Sequence, residues 1–345
     1  MPREGVKRIL IRGTNWIGDA VMGLAALAAI RNTYPQARLS ILAKPWVADI
    51  YRLTPAIDEV ILYERPGVHA GIRGLWRLAR ELKGRHFDLA ILLQNAIEAA
   101  VIVRLAGIPL RAGYASDARG FLLTHGIKKT QASNKVHQVR YYLEMVRALG
   151  CEEIRPGPLL ALSPEGEREA DRLFAEQELD PGAGVVGFAP GAAYGPAKKW
   201  FPERYAALAD RLKKDFSLGT MLLGSKGDRD TVQAIQGAAS LPHADLTGKT
   251  DLATAVSLIA RCRLFITNDS GLMHIAGALQ VPTLAIFGST NPQTTSPLGE
   301  KSVVLYKGVA CSPCLRETCP TDFRCMDLIG VDEVYERAKG LLCRR

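Results

Sequence analysis

The sequence predicts an α/β chain made of two doubly wound, parallel-sheet domains in tandem. Three observations predict it. Short apolar runs alternate with helix-like segments from the first residues onward, which favours a parallel sheet flanked by helices. That alternation breaks at a stretch holding Pro156, Gly157, Pro158 and Pro164, and then restarts. The chain has 345 residues, 48% of them hydrophobic, enough for two cores and too apolar for a largely disordered chain.

In the first half, residues 6–12 form an apolar strand, 13–18 a turn, 19–32 a helix and 38–43 a second strand. Strands follow at 59–63 and 89–93, with a cationic helix between them and a longer helix at 136–149. In the second half a charged helix covers 164–178, with Ser163 in place as N-cap. Strands are expected at 185–189, 218–223, 264–267 and 283–287. Helices are expected at 202–214, 230–238, 253–260, 271–278 and 331–342. The domains are then residues 1–160 and 161–327, with 328–345 a terminal helix that fits either one. Ligands of such folds bind at the carboxyl ends of strands, so a cleft between two facing domains is the expected site.

Composition narrows the function. The apolar stretch 20–30 is too short to span a bilayer and no small-residue cleavage site follows it, so it reads as a buried helix and the cytoplasm as the compartment. A formal net charge of +9 favours anionic partners. Arg73, Arg77 and Arg80 recur at helical spacing, with Leu75, Leu78 and Leu82 interleaved, which predicts an amphipathic helix with a cationic face. The aromatic interleaving of RNA-binding modules is absent, so nucleic acid is not the expected partner. Cys311, Cys314, Cys319 and Cys325 cluster as C-x2-C-x4-C-x5-C, while the total of seven argues against a disulfide scaffold. Three readings stand for the cluster: a structural zinc site, reduced thiols packed under a loop, or disulfides formed after lysis.

Common nucleotide fingerprints fail. The turn after the first strand lacks G-x-G-x-x-G, and no P-loop occurs. In its place Gly13, Gly18 and Asp19 make a strand–turn–helix start; Asp19 either faces a ligand or caps the helix. After the strand at 185–189, Gly191, Ala192, Ala193 and Gly195 leave backbone amides free for an anion, and Lys198 adds a point charge. Asn268, Asp269, Ser270 and Gly271 join a strand to a helix at the same end of the sheet, with His274 on that helix. Asp228-Arg229-Asp230 spells a D-x-D, but it opens a helix and reads as helix-start carboxylates or a ribose contact rather than a metal site.

Three segments together carry a resemblance. Ile11-Arg12-Gly13-Thr14-Asn15-Trp16-Ile17-Gly18-Asp19, Gly195-Pro196-Ala197-Lys198-Lys199-Trp200 and Asn268-Asp269-Ser270-Gly271-Leu272-Met273-His274 resemble the signatures of the heptosyltransferase II group within glycosyltransferase family 9. The resemblance runs from about residue 8 to about residue 299. It implies a GT-B fold, two Rossmann-like domains facing a cleft, residues 1–160 binding the acceptor and 161–327 the nucleotide sugar, and inverting transfer of L-glycero-D-manno-heptose from ADP-heptose with no metal required. It implies as acceptor the phosphorylated heptosyl-Kdo-lipid A core, met at the inner face of the cytoplasmic membrane.

By the same resemblance Asp19 is the general base and Lys198 neutralises the leaving diphosphate. Asp269 holds the donor sugar, and Ser270, Gly271 and His274 line the donor site. Gly18 and Asp228 are further donor-site candidates, and Arg73, Arg77 and Arg80 are acceptor candidates. Related heptosyltransferases carry threonines in the phosphate loop; this chain has Ala192 and Ala193 instead, so backbone amides carry more of that contact. The alternatives are a family 9 transferase with another acceptor, and a non-catalytic nucleotide-sugar-binding protein. Asp19, Lys198 and Asp269 occurring together speak against the latter.

Overall fold

The computed structural model describes residues 5–129, 135–152 and 159–343. The chain divides into two units, Met1–Ala161 and Leu162–Arg345. Pro156, Gly157 and Pro158, on which the linker reading rests, lie outside the described residues.

The first unit runs β1 (Arg8–Arg12), α1 (Ile17–Thr33), β2 (Arg38–Ala43), α2 (Ala48–Arg52), β3 (Glu59–Leu62), α3 (Gly71–Lys83), β4 (Leu89–Leu92), α4 (Ile97–Leu105), β5 (Leu110–Tyr114), β6 (His125–Ile127) and α5 (Gln138–Ala148). Its sheet is parallel throughout, in the order β3-β2-β1-β4-β5-β6. Ile9, Leu10 and Ile11 of β1 are all fully buried, as expected of a central parallel strand covered on both faces. On one face Leu10, Leu42, Ala90 and Leu92 pack with Leu78 and Leu82 of α3 and Ile102 and Val103 of α4. The apolar stretch at 20–30 is the body of α1, buried almost all round and packed on α5.

The second unit runs α6 (Pro164–Glu176), β7 (Val185–Ala189), α7 (Pro202–Phe216), β8 (Gly219–Leu222), α8 (Arg229–Ala238), β9 (Ala244–Asp245), α9 (Leu252–Ala260), β10 (Leu264–Asn268), α10 (Gly271–Ala278), β11 (Thr283–Phe287), α11 (Pro292–Thr295), β12 (Ser302–Tyr306), α12 (Arg324–Asp327) and α13 (Val331–Leu342). Ser163 caps α6, its hydroxyl accepting from the Gly166 amide at 3.0 Å. The parallel sheet has the order β12-β11-β10-β7-β8-β9. The terminal helix α13 belongs to this unit. It packs on α7, and Val334, Ala338, Leu341 and Leu342 enter the core around Trp200.

Each sheet follows the doubly wound order: the unit's first strand lies at the centre, successive strands build outward to one edge, and the chain then crosses to the other side of that first strand. The crossover puts a topological switch point between β1 and β4 in the first unit, and between β7 and β10 in the second. A crevice opens at the carboxyl ends of strands at such a point. The loop that leads to Asp19 leaves β1. The loops carrying Lys198 and Asp269 leave β7 and β10.

Candidate active site

In the first unit the chain leaves β1 through a tightly held loop. The Gly13 amide donates to the Leu42 carbonyl at 3.0 Å, and a Cβ at Gly13 would stand 2.9 Å from the Tyr51 ring. Glycine is therefore required there. The Thr14 amide donates to the Tyr51 hydroxyl at 3.0 Å. Asn15 is fixed from both sides: its side-chain oxygen accepts from the Arg12 guanidinium at 3.0 Å and its carbonyl from the Trp46 indole at 2.7 Å.

Helix α1 then begins at Ile17, two residues earlier than the sequence suggested, and its N-cap is Trp16. Asp19 is therefore not the N-cap, and Gly18 and Asp19 both lie in the first turn. The free amides of that turn favour a negative charge at Asp19. Its carboxylate stands near two buried phenols. Burial first, and then the Asp19 charge, push Tyr142 well above the usual phenol range. Burial likewise holds Tyr51 up at about 12, against the hydrogen bonds from Thr14, with Asp19 adding to the rise.

The second unit brings Lys198 and Asp269 together. The Lys198 ammonium donates to Asp269 Oδ2 at 2.6 Å, with the side chains 14% and 6% exposed. Thr290 Oγ1, in the loop after β11, donates to the same oxygen at 2.7 Å. A buried carboxylate thus has one cation and one hydroxyl on a single oxygen. Lys198 also stands 5.0 Å from the Tyr194 ring centroid.

The turn holding Lys198 is braced by the cysteine-containing loop. Gly195 adopts φ +154, and a Cβ there would stand 2.4 Å from the Glu317 carbonyl oxygen. That same carbonyl accepts from the Ala197 amide at 2.9 Å, and the Tyr194 hydroxyl donates to the Leu315 carbonyl at 2.7 Å. Ala192 is buried and Ala193 exposed.

Asn268 ties the two motif loops together. Its side-chain oxygen accepts from the Trp200 amide at 3.1 Å and the Tyr205 hydroxyl at 3.0 Å, and its amide nitrogen donates to the Pro190 carbonyl at 2.6 Å. Ser270 caps α10, which starts at Gly271, and His274 is buried on that helix. Asp228 is occupied locally: one carboxylate oxygen accepts from the Ser225 amide at 2.9 Å and the Ser225 hydroxyl at 2.8 Å in a capping box, and the other stands 3.8 Å from Lys199.

Sequence reasoning missed Thr290 and the bracing role of Asn268. Thr290 follows β11 at the carboxyl end, so the rule that located Asp269 applied to it equally. Arg73, Arg77 and Arg80 lie on the exposed face of α3, in the first unit. Cys311, Cys314, Cys319 and Cys325 line one cavity of about 370 Å³ in the second. Among the described residues no three His, Cys, Asp or Glu side chains are grouped so as to hold a metal ion.

Comparison with known proteins places the chain in a family. Residues 75–323 match the model of glycosyltransferase family 9 (heptosyltransferase). The chain is 32% identical over 315 residues to lipooligosaccharide heptosyltransferase 2 of Haemophilus influenzae, covering 86% of this chain and 88% of that one. It is 31% identical over 306 residues to lipopolysaccharide heptosyltransferase 2 of Escherichia coli, covering 86% and 87%. The solved structure of E. coli ADP-heptose LPS heptosyltransferase II superposes with a TM-score of 0.82 at 28% identity, over 97% of this chain and 98% of that one. Two doubly wound parallel sheets, the motif loops at their switch points and this kinship agree: the chain is a GT-B glycosyltransferase and belongs to glycosyltransferase family 9, the heptosyltransferases.

Proposed function

We propose that the enzyme transfers L-glycero-D-manno-heptose from ADP-heptose to the heptosyl-Kdo-lipid A inner core of lipopolysaccharide, with inversion at the anomeric carbon. The observation that carries this reading is the buried Lys198–Asp269 pair at the switch point of the second sheet. A cation there offsets the charge that develops on a departing diphosphate, and a carboxylate beside it accepts hydrogen bonds from sugar hydroxyls. Asp19, in the first turn of α1, takes the proton of the acceptor hydroxyl as that oxygen attacks C1 of the heptose. The C1–O bond to the diphosphate breaks as the new bond forms, and the electron pair leaves on ADP. The experiment is transfer from ADP-heptose to purified acceptor: a lipid heavier by one heptose is expected. Failure with this acceptor but transfer to another saccharide would move the protein to a different acceptor within the family.

Helix α3 is the proposed lipid-facing element. Leu78 and Leu82 are buried in the core, while Arg73, Arg77, Arg80 and Lys83 are exposed together with Ile72 and Trp76. Basic residues with exposed apolar side chains suit the anionic inner leaflet and the phosphates of the acceptor. Among the described residues no helix is long and apolar enough to cross a membrane. At roughly 1 kcal/mol per basic residue, Arg73→Glu with Arg77→Glu should weaken binding to phosphatidylglycerol vesicles by ~30-fold or more. The acceptor KM should rise and the donor KM should hold. Unchanged vesicle binding would remove α3 from this role.

The four clustered cysteines are proposed as a structural zinc site that forms only when the ion draws the thiolates together, because in this structure they share a cavity without being grouped as metal ligands. They line one cavity under the Lys198 turn, and closing four thiolates on an ion would pin the loop that holds Gly195 and Ala197. Protein purified under reducing conditions should carry roughly one zinc per chain. Less than about a tenth of an equivalent, with no thiolate-to-metal absorption on adding cobalt(II), would end the proposal.

A further inference from the structure

Two cations are buried at the carboxyl ends of β1 and β2. Arg12 is 1% exposed and Lys44 is 7% exposed. Among the described residues neither has a carboxylate partner. The nearby carboxylate of Glu98 is engaged by Arg65 and by the Tyr63 hydroxyl. Both cations lie over one ring: Lys44 Nζ is 3.9 Å and the Arg12 guanidinium 5.4 Å from the Tyr63 centroid.

A buried charge without a counter-ion is costly, and the fold offsets little of that cost. Arg12 donates to the carbonyls of Gly13 at 2.5 Å and Leu42 at 3.1 Å and to the Asn15 side chain, while its Nε is buried with no hydrogen-bond partner. Lys44 donates to the Arg65 carbonyl at 2.7 Å, which leaves two of its three ammonium protons for other acceptors. Burial, with Arg12 and Arg65 alongside, pulls Lys44 down to about 8. An anion arriving at this point would meet the Lys44 ammonium and feel the buried Arg12 charge behind it.

The surroundings suit a saccharide. Trp16 and Trp46 are 62% and 52% exposed, and Trp46 lies 5.7 Å from Lys44 Nζ. Large exposed rings offer amphipathic faces to sugars. The Asn15 loop that Arg12 and Trp46 hold in place leads directly into the turn bearing Asp19.

We propose that Lys44, beside Trp46 and with the buried Arg12 guanidinium behind it as a second fixed charge, forms an anion subsite for the acceptor saccharide, receiving an oxyanion, either the carboxylate of an acidic sugar such as Kdo or a phosphate ester. This rests on the reading of the first unit as the acceptor-binding one. The subsite is separate from α3: it reads the saccharide next to the base, and α3 meets the lipid surface.

The test is equilibrium binding of synthetic heptosyl-Kdo acceptors to the full-length enzyme without donor, for wild type and Lys44→Met. Three acceptors are used: the phosphorylated acid, its carboxamide, and the acid without phosphate. Lys44→Met should weaken the phosphorylated acid by roughly tenfold or more, because a hydrogen bond to a charged group is lost. The loss should shrink to little with whichever acceptor lacks the recognised oxyanion, so the carboxamide identifies a carboxylate and the phosphate-free acid identifies a phosphate. Equal affinity of wild type and variant for all three would overturn the subsite, as would an equal loss on all three. Lys44-dependent binding by an enzyme that transfers no heptose would leave the subsite standing and overturn the transfer reading instead.

Discussion

Asp19→Asn is expected to keep the fold and ADP affinity and to lose roughly 10²–10⁴-fold in turnover, the contribution of a positioned base. Asparagine is nearly isosteric, and the turn does not depend on the carboxylate for its cap, because the N-cap is Trp16 and Gly13 and Thr14 fix the loop through backbone contacts. The loss should fall on kcat, since Lys198 and Asp269, the proposed donor contacts, both lie in the second unit. The check is steady-state kinetics with calorimetric ADP binding on the same preparation. Turnover at the wild-type rate would leave Asp19 only a favourable charge in the first turn of a helix.

Lys198→Met should be the other large effect, and it should act on both stability and chemistry. The variant leaves the Asp269 carboxylate, 6% exposed, with Thr290 as its hydrogen-bond donor. Breaking a buried pair by removing one partner costs about 3–5 kcal/mol. It should also remove the cation proposed to face the leaving diphosphate, a loss on the order of 10²–10³-fold in rate. The double variant Lys198→Met, Asp269→Asn separates the two. It should recover much of the lost thermal stability, because no charge is left buried alone, and none of the lost activity. Recovery of activity along with stability would show that the pair serves the fold and not the reaction.

Much of this arrangement was legible in the sequence because both sheets are central and parallel. Strands such as 185–189 and 283–287 are buried on both faces and bounded by Gly and Pro, so their limits stood out, and the loops after them carry the motifs. The elements that escaped notice have physical reasons. Helix α4, Ile-Glu-Ala-Ala-Val-Ile-Val-Arg-Leu, is rich in β-branched residues and shows little polar face, so strand and helix periods compete in it. Edge strands β6 and β9 are three and two residues long and are defined by their neighbours rather than by a run of their own. The individual residues Asp19, Lys198 and Asp269 were nameable through the family resemblance. That Lys198 and Asp269 form one ion pair was not, since they lie 71 positions apart and the β7–β10 pairing that brings their loops together is not written in either segment. The Arg12–Lys44 pair escaped for the same reason: each follows or ends an apolar strand and reads singly as a solvated charge.

The anomeric configuration of the new linkage tests the mechanism at its centre. A single displacement, with Asp19 drawing the proton from the acceptor and Lys198 holding the leaving diphosphate, makes the bond to C1 on the face opposite the departing ADP. Product formed from ADP-heptose labelled with ¹³C at C1, examined by the one-bond C1–H1 coupling, should show the configuration opposite to the donor's. A product with the donor's own configuration would require either two displacements through a covalent intermediate or same-face internal return, and would contradict the roles proposed for Asp19 as base and Lys198 as partner of the leaving group.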